Sequence, residues 1–153
     1  TGKEIKKLKE IEDLVERLYN SGRFRLTIKY LLKVLKLTPF ELFEKLSVDL
    51  KGYDKKISLN DFSDLLYEKT SLPVGKEALR DVMVCDFLSV NSSGRLPSAL
   101  YRFDKELGRI RGELKGKCGS AMLFYGKKRA VTVCYDVPPH PVTKRYKLKF
   151  ISL

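Results

Sequence analysis

Two short runs of basic residues near the C-terminus carry the strongest chemical signal of this chain. The first run is Lys127-Lys128-Arg129, and the second comprises Lys144, Arg145, Lys147 and Lys149. Tyr125, Tyr135 and Tyr146 lie close to them in sequence. Ammonium and guanidinium groups bind phosphates and carboxylates, so the runs predict a contact surface for an anionic group or an acidic neighbouring domain. The alternative is a solvated sheet face, on which lysines discourage edge-to-edge pairing of strands.

The net charge of the chain is concentrated in the same region. Residues 105–153 hold 12 Lys or Arg and 3 Asp or Glu, a net of +9 out of +12 for the whole chain. A basic stretch of this kind also suits nucleic acid, whose phosphates would make binding salt-dependent. No helix-turn-helix, zinc-finger or aromatic RNA-binding signature accompanies it, so nucleic acid is the less favoured partner and an anionic substrate or another protein domain the more favoured one.

The three cysteines, Cys85, Cys118 and Cys134, do not follow a metal-binding pattern. They are separated by 33 and 16 residues, and neither spacing matches a zinc or iron–sulfur motif. An odd number of cysteines in a lysine-rich chain favours reduced thiols and a cytoplasmic protein. His140, the single histidine, follows Cys134 by six residues, so a Cys–His pair is a conceivable nucleophilic centre. An exposed loop histidine among prolines is the preferred interpretation, because no third group is marked to orient it.

The carboxylates and glycines show no catalytic arrangement either. Glu41 and Asp61 fit helix caps, and the adjacent Arg80 and Asp81 fit an ion pair at a helix face. A phosphate-binding loop needs a strand, a glycine-rich turn and a helix in that order, which is not the setting of Gly116, Gly119 and Gly126. The sequence therefore predicts no catalytic, cofactor-binding or metal-binding residue.

Helical periodicity dominates the first two thirds of the chain. The apolar stripes run from Ile5 to Tyr19, Phe24 to Leu35, Phe43 to Leu50, Phe62 to Leu66, Leu79 to Phe87, and Leu100 to Leu107. Thr38–Glu41 and Ser58 are start signals, because each offers a hydroxyl as helix cap. Gly22 and Gly52 are stop signals, and Pro73 with Gly75 separates the fourth helix from the fifth.

The last third changes to the two-residue period of β-strands. An apolar run at 120–125 is followed by a turn at 126–129 and by a half-buried strand at 131–135. A stiff loop, 136–141, precedes a third strand at 146–150. Consecutive short strands favour an antiparallel meander. The predicted fold class is α+β, with an N-terminal bundle of five or six helices followed by a small three-stranded antiparallel sheet.

Length and composition predict a single domain, 1–153, with a helical body at 1–112 and a basic β-meander at 118–153. A chain of 153 residues buries about 70% of its unfolded surface, enough for a core without disulfides or metals. No apolar run reaches the ~20 residues of a membrane span, and no signal peptide is apparent. Because the chain begins with Thr1 rather than Met, we expect it to be a fragment of a longer protein.

Several separated stretches together resemble a known domain. They are Tyr19–Phe24, Pro39-Phe40-x-x-Phe43, Leu79-Arg80-Asp81, Asp86-Phe87, Tyr135-Asp136 and Pro141-Val142-Thr143-x-Arg145-Tyr146. Their order resembles the uncharacterised C-terminal domain that follows the catalytic core in a group of cobalamin-binding radical SAM proteins. These are relatives of the anaerobic magnesium-protoporphyrin IX monomethyl ester oxidative cyclase.

The resemblance implies a parent oxidoreductase that uses S-adenosylmethionine, an iron–sulfur cluster and cobalamin. Its cobalamin domain and radical SAM barrel would lie upstream, and the Cys-x-x-x-Cys-x-x-Cys motif of such a barrel does not occur in these 153 residues. The family offers no catalytic residue to transfer to this region. The resemblance therefore predicts a non-catalytic accessory domain that packs on or caps the barrel and helps to select an anionic substrate. The alternative functions are a small basic nucleic-acid-binding module and, least favoured, a hydrolase using Cys134 and His140.

Overall fold

The helices and strands follow one another in two blocks. We describe a computed structural model that covers the backbone of residues 1–153 and every side chain except those of Leu72 and Pro73. Within that range, six α-helices precede a three-stranded antiparallel sheet, which confirms the predicted α+β class. The elements are α1 (Gly2–Leu14), α2 (Arg25–Leu35), α3 (Pro39–Asp49), α4 (Leu59–Val74), α5 (Lys76–Val90), α6 (Lys105–Glu113), β1 (Cys118–Leu123), β2 (Arg129–Cys134) and β3 (Leu148–Ser152). A π-helical segment, Val15–Asn20, continues α1.

Local signals set several helix boundaries as predicted. Thr38 and Glu41 cap α3 reciprocally, because each side chain accepts a hydrogen bond from the other residue's backbone N–H. The Ser58 hydroxyl accepts from Asp61 N at 3.1 Å and begins α4. Gly22 takes the left-handed conformation, φ 69°, after the π-helical segment. Gly75 separates α4 from α5, and the side chain of Pro73, the other half of that predicted break, lies outside the described residues.

The first apolar stripe faces the core over only part of its length. Ile11, Leu14 and Leu18 are buried, as the periodicity predicts. Ile5 and Leu8, the first members of the stripe, are each 56% exposed. The apolar stripe is therefore left uncovered in the first two turns of α1, although Lys7 in those turns pairs with Glu44 of α3 at 3.5 Å.

The sixth helix begins later than predicted. Only a short 3₁₀ turn, Ser98–Leu100, forms where the stripe begins, and Phe103 is 73% exposed. Asp104 is the helix cap, because its carboxylate accepts from Glu106 N at 2.9 Å. The helix consequently runs from Lys105 and buries Leu107 and Ile110.

The sheet is a meander in the order β1-β2-β3. Arg129 belongs to β2, where it pairs with Leu123, and not to the turn in which the sequence placed it. The prediction that the second strand is half-buried is wrong, because Ala130, Val131, Thr132 and Val133 are all buried. As the central strand, β2 has a neighbour on both edges, and only its last residue, Cys134, is exposed.

The two faces of the sheet have different neighbours. Ala121, Val131 and Val133 belong to the main core, which the helices α1 to α5 also supply. On the other face, Met122 and Ala130 pack with Leu107 and Ile110 of α6. This helix covers one end of the outer face and leaves the other end open, where a groove lies. Within the described part of the chain, no helix is long and apolar enough to cross a membrane.

Candidate functional site

A buried carboxylate on α5 organises the first of two polar clusters. Asp86 is 0% exposed and accepts hydrogen bonds from Leu26 N at 3.0 Å, Thr27 N at 2.8 Å and the Thr27 hydroxyl at 2.6 Å. It therefore caps the N-terminus of α2, where Phe24 provides no side-chain cap. Burial raises the pKa of the Asp86 carboxyl, while Thr27 and then Arg145 act in the opposite direction.

Arg145 joins the C-terminal segment to this cluster. Its guanidinium donates to Asp86 at 2.7 Å, to the Ser89 hydroxyl at 2.9 Å and to the Gly22 carbonyl at 3.0 Å. Its side chain is only 12% exposed. Arg145 was predicted as part of a basic contact surface, but its charge is neutralised inside the protein. We call Asp86, Arg145, Thr27 and Ser89 the Asp86 clamp.

A second buried ion pair joins α5 to the 3₁₀ turn and the sheet. Arg80 pairs with Asp81 at 3.2 Å and donates to the Leu100 and Met122 carbonyls at 3.0 and 2.6 Å. Asp81 accepts from the backbone N–H groups of Phe124 and Tyr125. Burial lowers the pKa of the Arg80 guanidinium, and the neighbouring Asp81 counteracts that shift. The predicted Arg80–Asp81 ion pair is confirmed, although it lies in the interior.

The first basic run lies at the β1–β2 turn, and two of its three side chains contact other groups of the protein. Lys128 forms ion pairs with Asp104 at 2.9 Å and Glu106 at 3.5 Å. Arg129 donates to the Tyr125 and Lys127 carbonyls and closes the turn. Lys127 is exposed. Within this run, Lys127 is therefore the residue whose charge is most accessible to a ligand.

The second basic run lies at the opposite end of the sheet. Since Arg129 pairs with Ser152 while Val133 pairs with Leu148, the residues before Leu148 are near the C-terminal end of β2. Lys144, Lys147 and Lys149 are exposed there. The seven predicted residues thus do not form one continuous surface, because the antiparallel register places the two runs at opposite ends of the sheet.

A groove of about 700 Å³ opens on the outer face of the sheet, beside the C-terminal end of α6. Lys115, Lys147 and Lys149 line it together with Cys118 and Cys134, and these five residues define what we call the thiol groove. Leu114, Val137 and Leu148 add apolar surface, and Glu113 adds an acidic side chain. Lys147 and Lys149 are two of the predicted contact residues, and Lys115 was not predicted.

The structure brings two of the three cysteines together. Cys118 and Cys134 are direct partners across β1 and β2. Burial first, and then the adjacent Cys134, raises the pKa of the Cys118 thiol. The sequence contains the signal for this pair, since a hairpin at 126–129 folds the two strands together, but the pairing depends on the register.

The conceivable Cys–His centre is not assembled. His140 is exposed, and its Nδ1 accepts from Val142 N at 3.1 Å and Thr143 N at 3.2 Å, which shapes the loop. Among the hydrogen bonds of the described residues, none joins His140 to Cys134. The imidazole has the role of a loop organiser.

The described residues do not form an iron–sulfur site of the usual kind. Among the side chains that the structure describes, no three His, Cys, Asp or Glu lie close enough to hold a metal ion. The paired thiols supply two sulfur ligands, whereas an iron–sulfur cluster is normally held by four ligands.

The comparison with known families gives one match. A family model described as "Protein of unknown function (DUF4080)" matches residues 1–115, which is most of the 153-residue chain. No curated protein and no solved structure matches the chain. The matched region ends before β1, so the sheet with both of its thiols lies beyond it.

Proposed function

Because the chain belongs to the DUF4080 family of unknown function, we propose a function from its own residues and from the resemblance described above. The chain is a non-catalytic accessory domain of a cobalamin-dependent radical SAM oxidoreductase of the cytoplasm. It packs on or caps the catalytic barrel, and the lysines of the thiol groove help to select an anionic substrate.

The proposal rests on a contrast between charged residues that are buried and paired and charged residues that are exposed in the thiol groove. Several residues that carry the resemblance, namely Arg80, Asp81, Asp86 and Arg145, belong to the two buried clusters and hold the fold together. The carbonyl of Gly22 accepts a hydrogen bond from Arg145. The thiol groove is left with exposed lysines. An open groove with exposed lysines at its rim suits a domain that contacts a substrate or a neighbouring domain.

Within this proposal the cofactors are held elsewhere in the parent protein. S-adenosylmethionine, the iron–sulfur cluster and cobalamin would be bound by upstream domains, and this chain would contribute no ligand to them. Its own contribution would be positional: surface complementarity to the barrel and positive charge near an anionic substrate.

Hydrogen exchange tests the docking step. The longer gene product is prepared without oxygen, and its iron, sulfide and cobalamin contents are measured. Backbone exchange in residues 113–118 and 144–149 is then compared between that protein and the 153-residue chain. We expect cofactor binding and slower exchange in both segments of the longer protein, because docking excludes water from the groove edges.

A charge-reversed variant separates docking through the groove from a general effect of chain length. K147E/K149E should lose much of the added protection, whereas K55E/K56E, with two exposed lysines in the α3–α4 loop, should keep it. A longer protein that binds neither cluster nor cobalamin would overturn the radical SAM assignment. Unchanged exchange in both segments would overturn the docking, and salt-dependent binding of a random oligonucleotide would favour a nucleic-acid module instead.

A further inference from the structure

The cross-strand position of Cys118 and Cys134 suits a reversible disulfide. The hydrogen bond from Tyr135 N to the Lys117 carbonyl, 2.8 Å long, makes Lys117 and Tyr135 a hydrogen-bonded pair. Hydrogen-bonded and non-hydrogen-bonded pairs alternate in an antiparallel ladder, so Cys118 and Cys134 form a non-hydrogen-bonded pair. At such positions the Cα atoms are ~4.5 Å apart and side chains approach most closely, which is within the range that a disulfide bridges.

The two thiols differ in access. Cys134 is exposed, and Cys118 is half-buried. The Cys118 thiol donates a hydrogen bond to the Lys115 carbonyl at 3.2 Å. Cys134 is therefore the thiol that a dissolved molecule meets first, and Cys118 is placed to react with whatever becomes attached to it.

The surroundings of the pair favour an anionic reaction partner. Lys147 precedes Leu148, the partner of Val133, so it lies next to Cys134 at the end of the ladder. Lys149 pairs with Thr132, and Lys115 completes the rim. Three ammonium groups around an accessible thiol attract carboxylates, and Glu113 is the single acidic side chain that lines the groove.

The third cysteine provides an internal contrast. Cys85 on α5 is 7% exposed, and burial raises the pKa of its thiol to about 12. It does not line the thiol groove. Buried thiols in apolar surroundings are inert toward thiol–disulfide exchange.

We propose that the thiol groove is a thiol–disulfide exchange site for a small disulfide that carries carboxylates. The Cys134 thiolate attacks one sulfur of the small disulfide, whose S–S bond breaks to release one thiolate and leave a mixed disulfide on Cys134. Cys118 then loses its proton to solvent and attacks the Cys134 sulfur, releasing the second thiolate. The protein gives up two electrons and two protons and gains the Cys118–Cys134 disulfide, while the small disulfide is reduced to two thiols.

This inference goes beyond the accessory function and uses none of the cofactors of the proposed parent. It is tested on the 153-residue chain with oxidised glutathione as the probe. After acid quenching and alkylation, peptide mass spectrometry should find a Cys118–Cys134 disulfide and an alkylated Cys85. No disulfide between Cys118 and Cys134 in excess oxidised glutathione would overturn the proposal.

Single serine variants test the order of the two steps. C118S should stop at a glutathione adduct on Cys134, because the resolving thiol is missing. C134S should form adduct at least about tenfold more slowly than C118S, since its remaining groove thiol is half-buried and burial raises the pKa of that thiol. C85S should react like the unmodified chain. Equal adduct formation in C118S and C134S would contradict the assigned order.

A charge-reversed groove tests the class of substrate. K115E/K147E/K149E should react with oxidised glutathione about tenfold more slowly, because the attraction for carboxylates is lost. Its rate with the neutral hydroxyethyl disulfide should change much less. If both disulfides are slowed equally, the lysines do not select an anionic partner.

Discussion

Arg145 and Lys147 belong to the same basic run, yet their charges lie in opposite environments. Arg145 enters the Asp86 clamp and is neutralised there by a carboxylate 2.7 Å away. Lys147 stays exposed at the rim of the thiol groove. Net charge along a sequence therefore does not locate a binding surface. The location depends on which charges have been paired inside the protein and which remain available to a ligand.

The largest expected effect comes from breaking the Asp86 clamp. D86N keeps the size of the side chain but leaves the Arg145 charge without its partner and the α2 terminus with a weaker cap. We expect a loss of about 3 kcal/mol in the free energy of unfolding, because removing one member of a buried pair leaves an uncompensated charge. Urea unfolding followed by circular dichroism measures it.

The matched control is E12Q, a neutralised carboxylate on an exposed position of α1. It should change the free energy of unfolding by less than about 0.5 kcal/mol. Equal losses in D86N and E12Q would show that the Asp86 clamp does not stabilise the fold.

An alkaline titration tests the contact of the sheet with α5. The Tyr135 hydroxyl donates to the Leu88 carbonyl at 2.8 Å, and burial raises the pKa of Tyr135 from 10.0 to about 12. Below pH 10 the tyrosine is protonated in both the folded and unfolded chain, so its contribution is complete. Between pH 10 and 12 the unfolded chain ionises first, and the folded state loses about 2 kcal/mol.

The variant Y135F isolates that contribution. It lacks the ionisable hydroxyl, so its stability should fall less steeply above pH 10 than that of the unmodified chain. The measurement is urea unfolding at a series of pH values. Parallel curves for the two proteins would contradict the buried environment assigned to Tyr135.

A smaller effect is expected from glycines at the two ends of β1. Gly116 and Gly126 both have left-handed backbone angles, φ 81° and 72°. A Cβ at Gly116 would overlap the Asp136 carboxylate, whereas nothing lies within 4 Å of a Cβ at Gly126. G126A should cost about 1 kcal/mol for the backbone alone. G116A should cost about 2 kcal/mol, because Asp136 must also give up its hydrogen bond from Lys117 N.

Gly116 lies between α6 and β1, next to the thiol groove. The G116A result therefore tests how tightly the chain is held where the helical block meets the sheet. Thermal unfolding of both variants gives the comparison. Equal losses would mean that Asp136 moves aside without cost.

Local patterns predicted the elements well, and long-range pairing explains what they did not predict. The Thr38–Glu41 capping box is readable because both partners are three residues apart. The cap of α2 is not readable, because its carboxylate, Asp86, comes from another helix about 60 residues along the chain. Periodicity likewise indicated the α1 stripe but not how much of it other elements cover, so the exposure of Ile5 and Leu8 was not predicted.

The candidate site shows the same difference between local patterns, which were predicted, and long-range pairing, which was not. Lysines of the second run were found by composition, and Lys147 and Lys149 do line the groove. The burial of Arg145 was not predicted, because no local sequence pattern indicates its partner, Asp86. The Cys118–Cys134 pair depends on strand register, and a shift by one residue would move the thiols out of alignment.

The most direct test of the contrast between clamp and groove is the free energy of unfolding of K115E/K147E/K149E, measured in urea beside D86N. We predict that reversing three groove charges leaves this free energy within about 0.5 kcal/mol of the unmodified chain, since exposed lysines away from structural contacts contribute little to stability. A loss as large as that of D86N would show that the lysines hold the fold together and would contradict their assignment to a binding surface.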